Sequence, residues 1–323
     1  MMRDHGGNLD FAQRRFGGRL EDWIDLSTGI NHQPYPVPAL EPRHWSVLPS
    51  QSDVASLHEA ARQAYATTAS VLAVAGAQAA IGLLPRLAPA GRARILAPTY
   101  DEYAPALSDA CWQVDEVGDL DALAGADLAV VVNPNNPDGR QHDPARLLAL
   151  RSRVRRLVVD ESFADAVPGV SLSTKAGEAG LLVLRSFGKF YGLAGLRLGF
   201  VLGNEVDVAR LAAMAGPWPV SGAAIEIGRK ALLDRDWAAA AIARLEKDSL
   251  RLDSLAVGAG WTLIGGTSLF RLYDVGDADA AQARLARAQI WSRVFMEKPH
   301  WLRLGLPGDE REWTRLAAAL SAR

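Results

Sequence analysis

The feature that most restricts the fold is a recurring unit. A short, largely apolar run stops in a loop rich in Gly, Pro, Asn or acid, and a helical stretch or another loop follows. The runs are Val71–Ala75, Arg94–Ala97, Leu128–Val132, Leu157–Val159 and Leu181–Leu184. Runs that are apolar without alternation suit strands covered on both faces, as in parallel sheets. Helices between them supply the covering layers. The expected architecture is therefore α/β, with a doubly wound, mostly parallel sheet flanked by helices. In such sheets the loops beyond the strand ends open on a common crevice where ligands bind.

Those loops carry the chemistry. Val71–Ala75 runs into Gly76-Ala77-Gln78 and a helix expected to reach about Ala88. A Gly before a helix N-terminus suits an anion, because free N–H groups and the helix dipole point at it; an ordinary turn also uses such a Gly. Arg94–Ala97 leads to Tyr100, either a rim aromatic or a ring that stacks on a flat ligand. Leu128–Val132 leads to Asn133-Pro134-Asn135-Asn136-Pro137, where an amide held between prolines can donate to a ring oxygen. Leu157–Val159 ends at Asp160, whose carboxylate can cap a helix, form an ion pair or hold a protonated pyridine nitrogen. Leu181–Leu184 leads to Ser186-Phe187-Gly188-Lys189-Phe190-Tyr191-Gly192 and on to Arg197. A lone amine among Gly, Phe and Tyr is partly desolvated, which disfavours its charged form and favours Schiff-base chemistry. A hydroxyl and a fixed cation flanking a reactive amine suit a cofactor with both an aldehyde and a phosphate, which is pyridoxal 5'-phosphate (PLP). A Lys in a Gly-rich loop is ordinary by itself; agreement among four loops singles out Lys189.

Composition bounds the rest. A chain of 323 residues accommodates one or two domains. Its 49% hydrophobic and 22% charged residues fit a globular protein. A formal net charge of −2 gives no global field for nucleic acid or an anionic membrane. The single Cys111 excludes an internal disulfide and suits a reducing compartment. The N-terminus lacks the apolar stretch of a secretory signal, and no apolar run reaches the ~18 residues of a membrane span. The expected location is the cytoplasm. Repeated prolines make Thr28–Pro38 a loop. Ser52-Asp53 is expected to open a helix, and Leu196–Leu202 to form a strand. Arg146, Arg151, Arg153, Arg155 and Arg156 read as a solvated helix face and its end. The break at Gly216-Pro217-Trp218-Pro219 suggests three parts. These are an N-terminal arm over 1–40, a large PLP-binding domain over 41–216 and a small α+β domain over 217–323.

Gly76, Tyr100, Asn136, Asp160, Ser186, Lys189 and Arg197 occur in the order seen in fold-type-I PLP enzymes. Over nearly its whole length the chain resembles the class I/II aminotransferase superfamily. The resemblance implies that Lys189 carries the cofactor, Asp160 binds its pyridine nitrogen, Asn136 its ring hydroxyl, and Tyr100 stacks on the ring. It further implies that backbone groups of Gly76, Ala77 and Gln78, with Ser186 and Arg197, hold the phosphate. Arg303, in Trp301-Leu302-Arg303-Leu304-Gly305, looks like the residue that receives the substrate carboxylate.

Within the superfamily the sequence is similar to histidinol-phosphate aminotransferases and to threonine-phosphate decarboxylases of cobalamin biosynthesis. Four features favour the latter family: His5-Gly6-Gly7-Asn8; Leu26-Ser27-Thr28-Gly29-Ile30-Asn31; Phe163, where aminotransferases usually carry Tyr; and Lys189-Phe190-Tyr191. Arg293 matches a second substrate-binding Arg of both families. By resemblance, His5, Gly6, Asn31, Asn136, Arg293 and Arg303 contact substrate. The implied reaction is decarboxylation of L-threonine O-3-phosphate to (R)-1-amino-2-propanol O-2-phosphate. The alternatives are a histidinol-phosphate or aromatic aminotransferase, and a non-catalytic PLP-binding scaffold of the same pathway. A homodimer is implied, with no nucleic acid, membrane or metal. Two positions depart from the pattern. Gly188 replaces a hydroxyl residue before the Lys, and Leu48-Pro49 stands where many relatives have a Tyr-Pro.

Overall fold

The structure is a computed structural model, and it describes residues 6–321. Counted along the chain, the strands are β1 (Ile24–Asp25), β2 (Ser70–Val74), β3 (Arg92–Leu96), β4 (Gln113–Val117), β5 (Leu128–Val132), β6 (Leu157–Asp160) and β7 (Leu181–Ser186). They continue as β8 (Gly199–Gly203), β9 (Thr262–Thr267), β10 (Phe270–Asp274), β11 (Ile290–Trp291), β12 (Arg293–Phe295) and β13 (Lys298–Gly305). The chain forms two compact units. One comprises Tyr35–Asn136 and Arg140–Ala238; the other comprises residues up to Pro34, Pro137–Gly139 and residues from Ala239 onward.

The first of these units is built on a seven-stranded sheet in the order β2-β8-β7-β6-β5-β3-β4. The pairs β7–β6, β6–β5, β5–β3 and β3–β4 are parallel, while β8 runs antiparallel to both neighbours. The unalternating apolar runs become the central strands β5, β6 and β7, buried at every position. Each fully buried Val or Leu there contributes about 1.5–3 kcal/mol relative to exposure. Because β2, β3, β5, β6 and β7 share one direction, the loops beyond their C-terminal ends lie along one edge. The reversal of β8 brings its beginning, and hence Arg197, to that same edge.

Three local expectations are corrected. The helix Gln51–Ala64 is capped by Ser50, not Ser52 or Asp53. The Ser50 hydroxyl accepts from the Asp53 amide while the Asp53 carboxylate takes the Ser50 amide, a reciprocal arrangement that satisfies two otherwise open donors. The helix after Gly76 is regular only over Ala77–Leu83 and tightens into a 3-10 turn at Leu84–Arg86, where Pro85 has no N–H for a helical bond. The strand expected from Leu196 begins at Gly199, because Ala194–Leu196 form a turn and Arg197 adopts a left-handed φ of 54°.

The other unit holds a four-stranded antiparallel sheet, β12-β13-β10-β9, and a parallel pair of β1 with β11. Helices Leu9–Phe16, Ala278–Arg287 and Glu310–Ser321 belong to it, with the larger part of Arg235–Gly258. Trp291 anchors a small cluster: the rings of Phe11, Phe16 and Trp23 all lie 6.0–6.3 Å from it.

Candidate active site

One pocket of the sheet unit is lined by all of Gly76, Ala77, Gln78, Tyr100, Asn136, Asp160, Ser186, Lys189 and Arg197. Residues far apart in sequence meet there because their strands end on one edge. Ile81, Val132, Phe163 and Leu198 supply apolar wall.

Lys189 lies in the short helix Phe187–Phe190 directly beyond β7. Its Nζ is 5.9 Å from the centroid of the Phe163 ring. The turn is packed tightly. A Cβ on Gly188 would lie 2.7 Å from the Cα of Ala194, closer than atoms tolerate. The missing hydroxyl at this position thus has a steric reason in this chain. On the far side, Tyr191 stacks on Phe187 at 4.3 Å and on Trp237 at 5.5 Å.

Asp160 is 3% exposed, and its carboxylate is fixed from both sides. Oδ1 accepts from the Ser162 amide at 2.9 Å and from the Ser162 hydroxyl at 2.5 Å; Oδ2 accepts from the Tyr103 hydroxyl at 2.7 Å. An amide can only donate, so these contacts fix the orientation of the carboxyl group. Burial, reinforced by the Asp160 charge, pushes the Tyr103 phenol well above its usual range, keeping it a donor. Neither Tyr103 nor Ser162 emerges from the sequence reading. Ser162 is legible only as a hydroxyl two residues beyond a strand-end acid, and Tyr103 only once its helix is oriented.

The residues fit a phosphorylated, planar cofactor. Gly76 has φ of 79° and precedes the helix Ala77–Leu83. A Cβ there would stand 2.9 Å from Nη2 of Arg197 and would push the guanidinium aside, and the positive φ itself favours Gly. The left-handed Arg197 is braced by an Nη1 bond to the Ala194 carbonyl at 3.2 Å. A fixed cation, a helix start and the adjacent Ser186 suit a phosphate. The Tyr100 hydroxyl donates to Oε1 of Gln78 at 3.1 Å. Burial first, then the charges of Glu102 and Asp160, push the Tyr100 phenol up to about 12, so it offers a neutral ring.

Of the sequence-predicted substrate residues, Gly6, Asn31, Arg293 and Arg303 lie in the second unit and Asn136 in the sheet unit. His5 falls outside the described residues. Gly6 lies against Ser27, whose carbonyl oxygen would be 2.7 Å from a Cβ. That carbonyl accepts from Nη2 of Arg303 at 2.7 Å. Arg293 and Arg303 are direct partners in the β12–β13 ladder and are 9% and 6% exposed. Asn31, 2% exposed, accepts through Oδ1 from Nη2 of Arg244 at 2.8 Å and from the Gln33 amide at 3.0 Å. Like charges directly opposed on a sheet repel, and a bound anion would offset that repulsion.

Comparison with known proteins identifies the family and the fold. The profile of the family "Aminotransferase class I and II" matches residues 38–320. The chain is 48% identical over 325 aligned positions to a threonine-phosphate decarboxylase of Sinorhizobium sp., covering 98% of this chain and 97% of that protein. It is 45% identical to a threonine-phosphate decarboxylase of Pseudomonas aeruginosa, covering 99% and 97%. Among solved structures, a histidinol-phosphate aminotransferase from Sinorhizobium meliloti in complex with pyridoxal-5'-phosphate superposes with a TM-score of 0.84 at 20% identity, covering 99% and 97%. The L-threonine-O-3-phosphate decarboxylase from Porphyromonas gingivalis gives 0.72 at 19% identity, covering 92% and 98%. The fold is thus that of fold type I, and the chain belongs to the class I and II aminotransferase family of PLP-dependent enzymes.

Proposed function

We propose that the protein decarboxylates L-threonine O-3-phosphate to (R)-1-amino-2-propanol O-2-phosphate, with PLP as cofactor, in cobalamin biosynthesis. The observation that carries the reading is the opposed pair of buried arginines, Arg293 and Arg303, in a chain whose sheet unit holds a PLP pocket. A substrate with both a carboxylate and a phosphate suits two such cations. The names of the two relatives above 40% identity agree with it.

PLP bound at Lys189 supplies an electron sink for the pair left behind when CO2 departs. The chain's residues do the rest. The Asp160 carboxylate, oriented by Tyr103 and Ser162, holds a proton on the ring nitrogen. Arg197, Ser186 and the amides after Gly76 bind the cofactor phosphate, Asn136 donates to the ring hydroxyl, and Tyr100 covers the ring. Arg303 would take the substrate carboxylate and Arg293 its phosphate, and by resemblance Gly6, Asn31 and His5 also contact the substrate. Two anchored anions would restrict how the substrate's amino carbon is presented to the cofactor. Such orientation is worth up to about 7–11 kcal/mol. Once its amine is free and protonated, the Lys189 side chain would give that proton to the carbon that carried the carboxylate and regain one from solvent.

Purified protein supplied with threonine phosphate is expected to release CO2, and Lys189→Ala to abolish the release. Amino transfer to 2-oxoglutarate without CO2 would instead mark an aminotransferase.

The protein is further proposed to work as a cytoplasmic homodimer. Trp45, Val47 and Leu48 are 71%, 57% and 62% exposed, a run of apolar surface that a second copy would cover. No helix among the described residues is long and apolar enough to cross a membrane. We also read residues 1–40 as an arm serving the active site, 41–216 as the cofactor-binding domain and 217–323 as the small domain. Light scattering of the purified protein tests the dimer; a fully active monomer would exclude it.

A further inference from the structure

Behind the pocket lies a buried charge cluster that the mechanism does not use. Arg185 immediately precedes Ser186 on β7, and Glu161 immediately follows Asp160 at the end of β6. Asp160, Ser162 and Ser186 line the pocket, whereas Glu161 and Arg185 do not. That is the alternation expected of neighbouring residues on extended chain. Arg185 is 4% exposed and Glu161 0%. Nη1 of Arg185 meets Oε2 of Glu161 at 2.8 Å, and Nη2 meets Oδ1 of Asp165 at 2.9 Å. The guanidinium lies 4.3 Å from the centroid of the Tyr65 ring. Glu161 is held in turn by the Leu172 amide at 2.6 Å and the Ser171 hydroxyl at 2.5 Å.

The position of this cluster matters more than its strength. The β6–β7 ladder ends with the Glu161 amide bonding to the Leu184 carbonyl at 2.9 Å; just beyond β7 the Phe187 amide bonds instead to the Leu198 carbonyl. At the point where the two strands part company, the Arg185 fork is a side-chain tie between them. One strand end carries Asp160 and the other carries the turn with Lys189. Buried ion pairs are often no better for stability than apolar replacements of the same volume, so retention of one here points to geometry.

We propose that Arg185, bridging Glu161 and Asp165, is a positioning residue that sets the separation of Asp160 and Lys189 and thereby the environment of the cofactor. The inference rests on the reading of Lys189 and Asp160 as PLP machinery.

Two variants test it. One neutralises the whole cluster at nearly constant volume: Arg185→Met, Glu161→Gln and Asp165→Asn together. The other, Arg185→Lys, keeps the charge and removes the planar fork, which a Lys cannot replace. PLP is titrated into each apoprotein, and the visible absorbance of bound PLP is followed against pH. The triple variant is expected to melt within a few degrees of wild type, to bind PLP about tenfold more weakly, and to shift the absorbance midpoint by about half a pH unit or more. Arg185→Lys should move both quantities in the same direction. A folded variant of either kind with wild-type affinity and midpoint overturns the proposal, as does failure of both to fold, which marks a purely structural cluster. If the triple variant alone fails to fold, Arg185→Lys decides. A wild type that takes up no PLP overturns the cofactor reading itself, a result separate from any behaviour of the variants.

Discussion

The hydroxyl of Tyr103 donates to Oδ2 of Asp160 across 2.7 Å, with both groups buried. A hydrogen bond to a charged group contributes about 1.5–3 kcal/mol. Tyr103→Phe keeps the ring and removes that donor. It is expected to lower kcat/KM for threonine phosphate about 10- to 100-fold, with the circular dichroism spectrum retained. Steady-state kinetics on the folded variant provide the check.

Restoring a hydroxyl before Lys189 should harm this protein. Gly188→Ser drives a Cβ to within 2.7 Å of the Ala194 backbone. Overpacking of this kind costs about 1–3 kcal/mol. Lower PLP affinity and a lower melting temperature are expected. A gain in PLP affinity would show that the Ala194 segment yields more readily than its packing implies.

Arg303→Met should separate substrate binding from cofactor binding. Arg303 is not among the residues that line the cofactor pocket, so the absorbance of bound PLP is expected to stay unchanged. Loss of a charge-assisted contact of about 1.5–3 kcal/mol corresponds to a 10- to 100-fold rise in KM for threonine phosphate. Arg293→Met should act alike, and O-phosphoethanolamine, which lacks the carboxylate, should lose affinity at only one of the two variants when used as a competitor.

His58 makes stability fall in acid. Its Nε2 accepts the Ala73 amide at 3.1 Å, and burial lowers its pKa from 6.5 to about 4. The unfolded chain therefore binds a proton more readily than the folded one between those values. The contribution is complete above about pH 6.5 and is lost as pH drops toward 4, a change on the order of 2 kcal/mol. Urea unfolding of wild type and His58→Gln at pH 7 and pH 4.5 should show a smaller acid loss in the variant.

The residues most legible in the sequence are those at the ends of apolar runs. Asp160 and Lys189 stand where a wholly buried strand stops, so chain direction alone assigns them to the crevice. The partners that orient them were not legible. Tyr103 meets Asp160 through a helix whose rotation no local pattern reveals, and the Arg185–Glu161 tie depends on which strands are neighbours. The direction of β8 was hidden for a similar reason, since an apolar run reads alike forwards and backwards. The Ser50 cap, by contrast, was available as Ser-x-x-Asp, but Ser52 and Asp53 are cap formers too and stood nearer the first apolar residue.

The reversal of β8 has a consequence for folding and dynamics. Ser186 and Arg197 are the two ends of one short connection, so part of the proposed phosphate grip is local in sequence. Closing a short loop costs little chain entropy, and an anion clasped by both ends acts on it as a crosslink would, excluding open conformations. Slowed amide hydrogen exchange on PLP uptake should therefore concentrate between Phe187 and Arg197, leaving the distant edge strand β4 nearly as it was.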